Sequence, residues 1–317
     1  MKYRTLGFTG LSVSALSFGA SSLGSVFREI DEDEGIRTVY KAMELGINLI
    51  DVSPYYGLTK AETVLGKAIR NLPRDKFLLS TKAGRYGADQ FDFSAKRIRE
   101  SVEQSLARLH TDYIDILFLH DIEFERLEVI VEEGIPELNR LKEQGKIRFT
   151  GISGLPLDIF PMTLNKAPVD VILSYCHYSL NDTTLLGLLP YLEQQSAGVI
   201  NASPLSMGLL GSRGVPDWHP ADEEVKALCR KAAQFCSEQG SDIAKLAVQF
   251  STGEERIPTT LVSTANPVNI ENNVRWTEEP IDRSLLDAVF DILAPIDGRT
   301  WPSGRPEYNR AVKGERT

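Results

Sequence analysis

Three ionisable side chains stand where apolar runs end: Asp51 in "NLIDV", Lys82 in "FLLSTK" and His120 in "ILFLH". A charge beside such runs is costly to bury unless a partner compensates it, and Asp51 is the natural partner for Lys82. Directly after Asp51 comes an aromatic corner, Pro54-Tyr55-Tyr56-Gly57. A phenol, with a pKa of about 10, exchanges protons poorly near neutrality, but an ammonium held close by a carboxylate favours the phenolate. A tyrosine of this corner beside Lys82 would therefore serve as a general acid or base. Each residue alone has an ordinary role: an aspartate capping a helix, a lysine reaching water, a histidine hydrogen-bonded in a core. The combination is what points to chemistry.

Residues so far apart in sequence meet only if the fold gathers strand ends. Apolar, β-branched runs occur at "VSALSFG", "NLIDV", "KFLLSTK", "YIDILFLH", "KIRFTGIS", "DVILSY", "GVINAS" and "TTLVST", each followed by helical spacing or caps. In residues 93–109, Ile98, Val102, Leu106 and Leu109 share one helical face behind Ser94 as N-cap. Runs that barely alternate imply strands buried on both faces, and regular helix interruption implies parallel crossovers. Eight such units predict the α/β class and a closed (β/α)8 TIM barrel, with an open doubly wound sheet as the alternative. The carboxyl ends of barrel strands converge on one face, which adds Ser153, Ser174, Tyr175 and Ser203 to the candidates. The opening "MKYRTLGFTGLSV" reads as an N-terminal hairpin plugging the barrel bottom, and an extra helix is expected at residues 222–238, before strand eight. No linker divides the chain, so one domain over residues 1–317 is expected, with a loose tail from about residue 300.

Composition narrows the classes of partner. With 42% hydrophobic residues in 317 the chain can bury a large core, and its net charge of -9 with no basic run argues against nucleic acid or anionic membranes. Cys176, Cys229 and Cys236 are odd in number and lack metal-ligand spacing, which suits reduced thiols and no metal. No stretch approaches the ~20 apolar residues of a membrane span. A soluble, cytoplasmic protein acting on a small molecule is expected, with its oligomeric state open.

The segment "GINLIDVSPYYGLTKAETVLGKAI" resembles the Gly-x-x-x-x-Asp-x-x-x-x-Tyr-Gly signature of the aldo-keto reductases, whose tyrosine falls five residues after the aspartate. On that likeness the tyrosine is Tyr56 rather than Tyr55. "LSTKAG" looks like the family's lysine strand, "ILFLH" its histidine strand, "GKIRFTGIS" the segment that contacts the nicotinamide carboxamide, and "ASPL" and "STANPVNIENN" its dinucleotide-binding segments. The resemblance runs over residues 19–273. It implies a barrel that binds NAD(P) without a Rossmann fold, and the chain has no G-x-G-x-x-G after its first strand. The tetrad it implies is Asp51, Tyr56, Lys82 and His120. The cofactor residues it implies are Gly19, Ser153, Tyr175, Ser203, Leu205, Ser263, Thr264, Asn269 and Asn273.

Within the family the sequence looks most like the aldose 1-dehydrogenase branch, which oxidises the anomeric carbon of a sugar hemiacetal to a lactone. The sugar would be L-galactose, with L-fucose and D-arabinose not separable by sequence. An NADPH-dependent carbonyl reductase is the second class, and a non-enzymatic NAD(P)-binding subunit the third. The chain departs from many members by Gly154 in place of Asn, Tyr175 in place of Gln, and Ala202 where a tyrosine often stacks on the nicotinamide. Ser263 and Asn269 stand where NADPH-using members carry a lysine and an arginine, and Glu271 follows. A phosphate dianion leaving water needs charge-assisted donors, so these residues imply NAD. Asn266 as N-cap with Pro267 at the first helical position is expected to leave free N–H groups for an anion.

Overall fold

The structure is a computed structural model that describes residues 1–26, 28–211 and 214–309. Two short strands, β1 (Tyr3–Thr5) and β2 (Ser12–Ser14), form an antiparallel hairpin. The strands β3 (Leu16–Gly19), β4 (Leu49–Asp51), β5 (Leu78–Ala83), β6 (Ile114–Leu119), β7 (Ile147–Gly154), β8 (Val171–Tyr175), β9 (Gly198–Ala202) and β10 (Thr259–Ser263) close into a parallel barrel in chain order, β10 pairing with β3.

The run "VSALSFG" divides rather than forming one strand. Its first residues belong to β2, Ala15 donates its N–H back to Lys2 O, and the barrel strand starts at Leu16. Leu6, Leu11 and Val13 of the hairpin region join Leu49, Ile116, Phe118, Val171, Leu173, Ile200 and Leu261 in one core cluster, so the hairpin closes the amino-terminal end of the barrel. Each such aliphatic side chain, taken from water, contributes roughly 1.5–3 kcal/mol.

Helix starts follow the capping chemistry. Asp31, Ser94, Asp222, Asp242 and Asp282 each accept an N–H from the first turn of the helix they precede. The helix expected before the last barrel strand is Glu223–Glu238, and it is followed by Ile243–Gly253.

The tail is not loose from residue 300. Trp301 and Tyr308 are buried, and the Tyr308 hydroxyl accepts the Leu127 N–H at 2.8 Å. Aromatic burial anchors the segment to the loops that follow β6. The part of the expected tail beyond residue 309 lies outside the described residues. Among the described residues no helix is long and apolar enough to cross a membrane.

Candidate active site

Strand register brings Asp51 and Lys82 together. In the β4–β5 ladder Asp51 faces Ser80, two residues before Lys82 on the same strand. Lys82 Nζ lies 2.5 Å from Asp51 Oδ2 and donates to Val52 O at 2.9 Å, while Ser80 Oγ donates to Asp51 Oδ1 at 2.7 Å. The pair is sealed, with side-chain exposures of 1% for Lys82 and 4% for Asp51. Burial opposes the lysine charge, but Asp51 and the phenol of Tyr56 outweigh it and hold the ammonium above its ordinary value.

The corner after β4 delivers Tyr56 to this pair. Gly57 has φ 62°, and a Cβ there would stand 2.0 Å from Gly24 O, so only glycine lets the corner press against the loop after β3. Lys82 Nζ sits 5.0 Å from the Tyr56 ring centroid. Burial pushes the Tyr56 phenol up to about 12, against the downward pull of Lys82. The lysine tunes the tyrosine in the expected direction, but in the chain alone desolvation is the larger effect. Tyr55 is occupied elsewhere: its hydroxyl accepts from Arg85 Nη2 at 3.2 Å.

His120 closes the cluster, its ring meeting that of Tyr56 edge-on at 5.7 Å between centroids. Ser53 Oγ accepts the Tyr55 N–H at 3.1 Å and lies 3.0 Å from His120 Nδ1. The serine hydroxyl can donate to Nδ1, the arrangement in which the ring proton sits on Nε2. Burial, with Lys82 and Arg85 nearby, lowers the His120 pKa well below its ordinary value, so the ring is a neutral donor. Sequence reasoning missed Ser53, Arg85, Asp121 and Glu123. Asp121 and Glu123 carried a signal, since two acids follow an apolar strand at once. Arg85 is matched by a 2.5 Å ion pair to Asp121 Oδ2.

Glu123 is wholly buried. Its Oε1 accepts the Leu155 N–H at 3.1 Å and the Ser303 hydroxyl at 2.8 Å, and its Oε2 has no partner among the described residues. Burial, then the neighbouring Asp121, push its carboxyl up to about 8. The backbone at Arg305 also donates to Glu123 O at 2.8 Å, so the tail is fastened to the loop that carries His120.

The sequence matches the aldo/keto reductase family over residues 15–293. The chain belongs to that family. It is 50% identical over 313 residues, 96% of this chain and 98% of the other, to L-galactose dehydrogenase from Arabidopsis thaliana. It is 37% identical to D-arabinose 1-dehydrogenase from Saccharomyces cerevisiae, covering 77% of this chain and 76% of that one. Among solved structures it resembles the holo form of an aldo-keto reductase from Bacillus halodurans, with a TM-score of 0.78, 26% identity, and coverage of 98% of this chain and 100% of that one.

This aldo/keto reductase carries its expected cofactor residues along one arc of the barrel rim. Gly19 ends β3, paired on one side with Ser263 and on the other with Asp51. Ser153 and Tyr175 lie at the ends of β7 and β8, whereas Ser203 and Leu205 follow β9. Thr264 follows β10, and Asn269 and Asn273 lie in the helix Pro267–Glu278. Ser153 Oγ accepts the Asp121 N–H at 3.1 Å, which links the end of β7 to the loop after His120.

Two expectations about the strand-eight segment change. Asn266 caps its helix as expected, but its Oδ1 already accepts the N–H groups of Val268 and Asn269, so these donors are not free for an anion. Glu271 does not face a ligand as an unpaired charge, because Lys41 Nζ lies 3.2 Å from it and 2.9 Å from Glu44. The remaining donor set is neutral. Ser263 Oγ takes hydrogen bonds from Ser21 Oγ and Ser22 N, and Glu34 accepts from Asn266 Nδ2 at 2.9 Å. Hydroxyls and amides with an acid beside them fit a nucleoside hydroxyl better than a phosphate.

Proposed function

We propose that this protein is an NAD-dependent aldose 1-dehydrogenase that oxidises L-galactose at C1 to L-galactono-lactone, a cytoplasmic step toward ascorbate. The reading is carried by the buried cluster of Asp51, Lys82, Tyr56 and His120, in a chain 50% identical over 96% of its length to a protein named L-galactose dehydrogenase. L-fucose or D-arabinose is the second reading, supported by the 37% identity to a protein named D-arabinose 1-dehydrogenase.

Gly19, Ser153, Tyr175, Ser203, Leu205, Ser263, Thr264, Asn269 and Asn273 would hold the dinucleotide. When bound, its oxidised nicotinamide supplies the hydride acceptor. The chain supplies the proton chemistry. Tyr56, as phenolate, takes the proton of the C1 hydroxyl while His120 Nε2–H donates to the same oxygen and fixes its direction. Lys82, held by Asp51, stabilises the phenolate, and the low-dielectric surroundings strengthen that attraction.

The deciding measurement is turnover by the purified enzyme. NADH formation from L-galactose, set against NADPH consumption with a simple aldehyde, distinguishes the classes: turnover confined to the second pair would defeat the proposal.

A further inference from the structure

The tetrad leaves a second buried charged pair on the same face with no assigned work. Arg85 Nη1 lies 2.5 Å from Asp121 Oδ2, its Nη2 donates to Tyr55 Oη, and the guanidinium carbon stands 4.1 Å, 5.3 Å and 5.1 Å from the ring centroids of Tyr55, Phe91 and Phe124. This clamp fixes the guanidinium on several sides at once.

Asp121 is held just as firmly, and in a conformation that residues with a Cβ seldom adopt. Its φ is 55°, and its N–H donates to Ser153 Oγ. A strained residue fixed at a strand end beside a catalytic histidine points toward function. One carboxylate oxygen is committed to Arg85. The same Oδ2 is 3.6 Å from His120 Nε2, the atom that donates to the reacting oxygen in the proposed reaction, and Oδ1 takes no hydrogen bond from any described residue.

We propose that Asp121, fixed by Arg85, receives the hydroxyl on the carbon adjacent to the reacting carbon, so that the enzyme selects 2-hydroxylated substrates over deoxy sugars and plain aldehydes. On a vicinal diol the two oxygens are separated by about one hydrogen-bond length, somewhat less than the 3.6 Å between Nε2 and the nearer carboxylate oxygen, Oδ2. With the first oxygen on Nε2, the second comes within reach of Asp121. A hydroxyl donating to a carboxylate forms a strong, charge-assisted bond. A substrate lacking that hydroxyl leaves a buried carboxylate oxygen dry and unpaired, and sites of this kind reject such analogues strongly.

The proposal rests on C1 oxidation of an aldose, and its test has two arms. With NAD, kcat/KM is measured for L-galactose and its 2-deoxy counterpart in wild type and Asp121→Asn. In the reductive direction, lactaldehyde (2-hydroxypropanal) is compared with propanal in the same two proteins. Asparagine tolerates the left-handed backbone and can still accept from Arg85, and a thermal scan of Asp121→Asn checks that the fold survives the loss of the buried charge. Wild type should prefer the hydroxylated partner by ~100-fold or more. Asp121→Asn should cut that preference at least ~10-fold, through loss on the hydroxylated partner while the other changes less than ~3-fold. Equal losses on both partners would make Asp121 only a support for His120 and overturn the proposal, as would a wild type indifferent to the hydroxyl in both arms. If no aldose is oxidised but the lactaldehyde preference persists and depends on Asp121, the aldose reading fails and the hydroxyl site stands.

Discussion

Glu123 Oε2 lies 2.8 Å from the point where a Cβ on Gly154 would stand. The carboxyl thus fills space that a side chain at residue 154 would need. Gly154→Asn should therefore either displace Glu123 or destabilise the fold, with a cost of about 1–3 kcal/mol for overpacking. Denaturant unfolding of the single variant and of Gly154→Asn/Glu123→Ala measures it, and the second change should restore most of the loss.

Tyr56 and its neighbour Tyr55 have different partners, and this separates their roles. Tyr56→Phe removes the proton acceptor, so turnover should fall ~100-fold or more with NAD binding largely kept. Tyr55→Phe loses only the bond from Arg85 Nη2. Steady-state kinetics of the two variants would assign the base to Tyr55 if that variant proved the inactive one.

The pH profile follows from the Tyr56 phenol, pushed up to about 12 by burial and pulled down by Lys82. Sugar oxidation uses the deprotonated form, so kcat should rise as pH rises into the alkaline range. Lys82→Met removes the pull, raises the phenol further and moves that rise to higher pH. Rate profiles of the two proteins test this, and identical profiles would remove Lys82 from the tuning.

Glu123 gives a stability prediction with a definite sign. Its carboxyl, raised to about 8 in the folded protein, binds a proton that the unfolded chain has released above its ordinary value near 4.5. Between those values the folded state holds more protons, so stability falls as pH rises. Glu123→Gln removes that dependence. The difference in Tm between Glu123→Gln and wild type should grow more positive from pH 5 to pH 8, as read by thermal scans in matched buffers.

Cofactor choice should favour NAD by at least ~10-fold, about 1.4 kcal/mol. The neutral Ser263 and Asn269 cannot neutralise a phosphate, and Glu34 sits nearby on Asn266. Arg275 pairs with Glu279 at 3.3 Å and Arg305 with Glu307 at 2.5 Å. Comparing kcat/KM for NAD and NADP in wild type and Ser263→Lys/Asn269→Arg decides it, and a double variant with no gain in NADP use would count against the claim.

The alternation of apolar runs with helical spacing was enough to predict eight parallel strands in a barrel. Strand burial and helix amphipathicity are written into neighbouring residues. The same pattern put Asp51, Lys82 and His120 at strand ends, and the signature spacing chose Tyr56. Sequence could not divide "VSALSFG" between hairpin and barrel, because the turn at Ala15 is set by its bond to Lys2, not by hydrophobicity. Nor could it anchor the tail or reveal that Asn266 satisfies its own helix. The Arg85–Asp121 clamp joins residues 36 apart, and the Ser303–Glu123 bond joins residues 180 apart. Such pairings depend on which loops the closed barrel presses together, and no local periodicity encodes them.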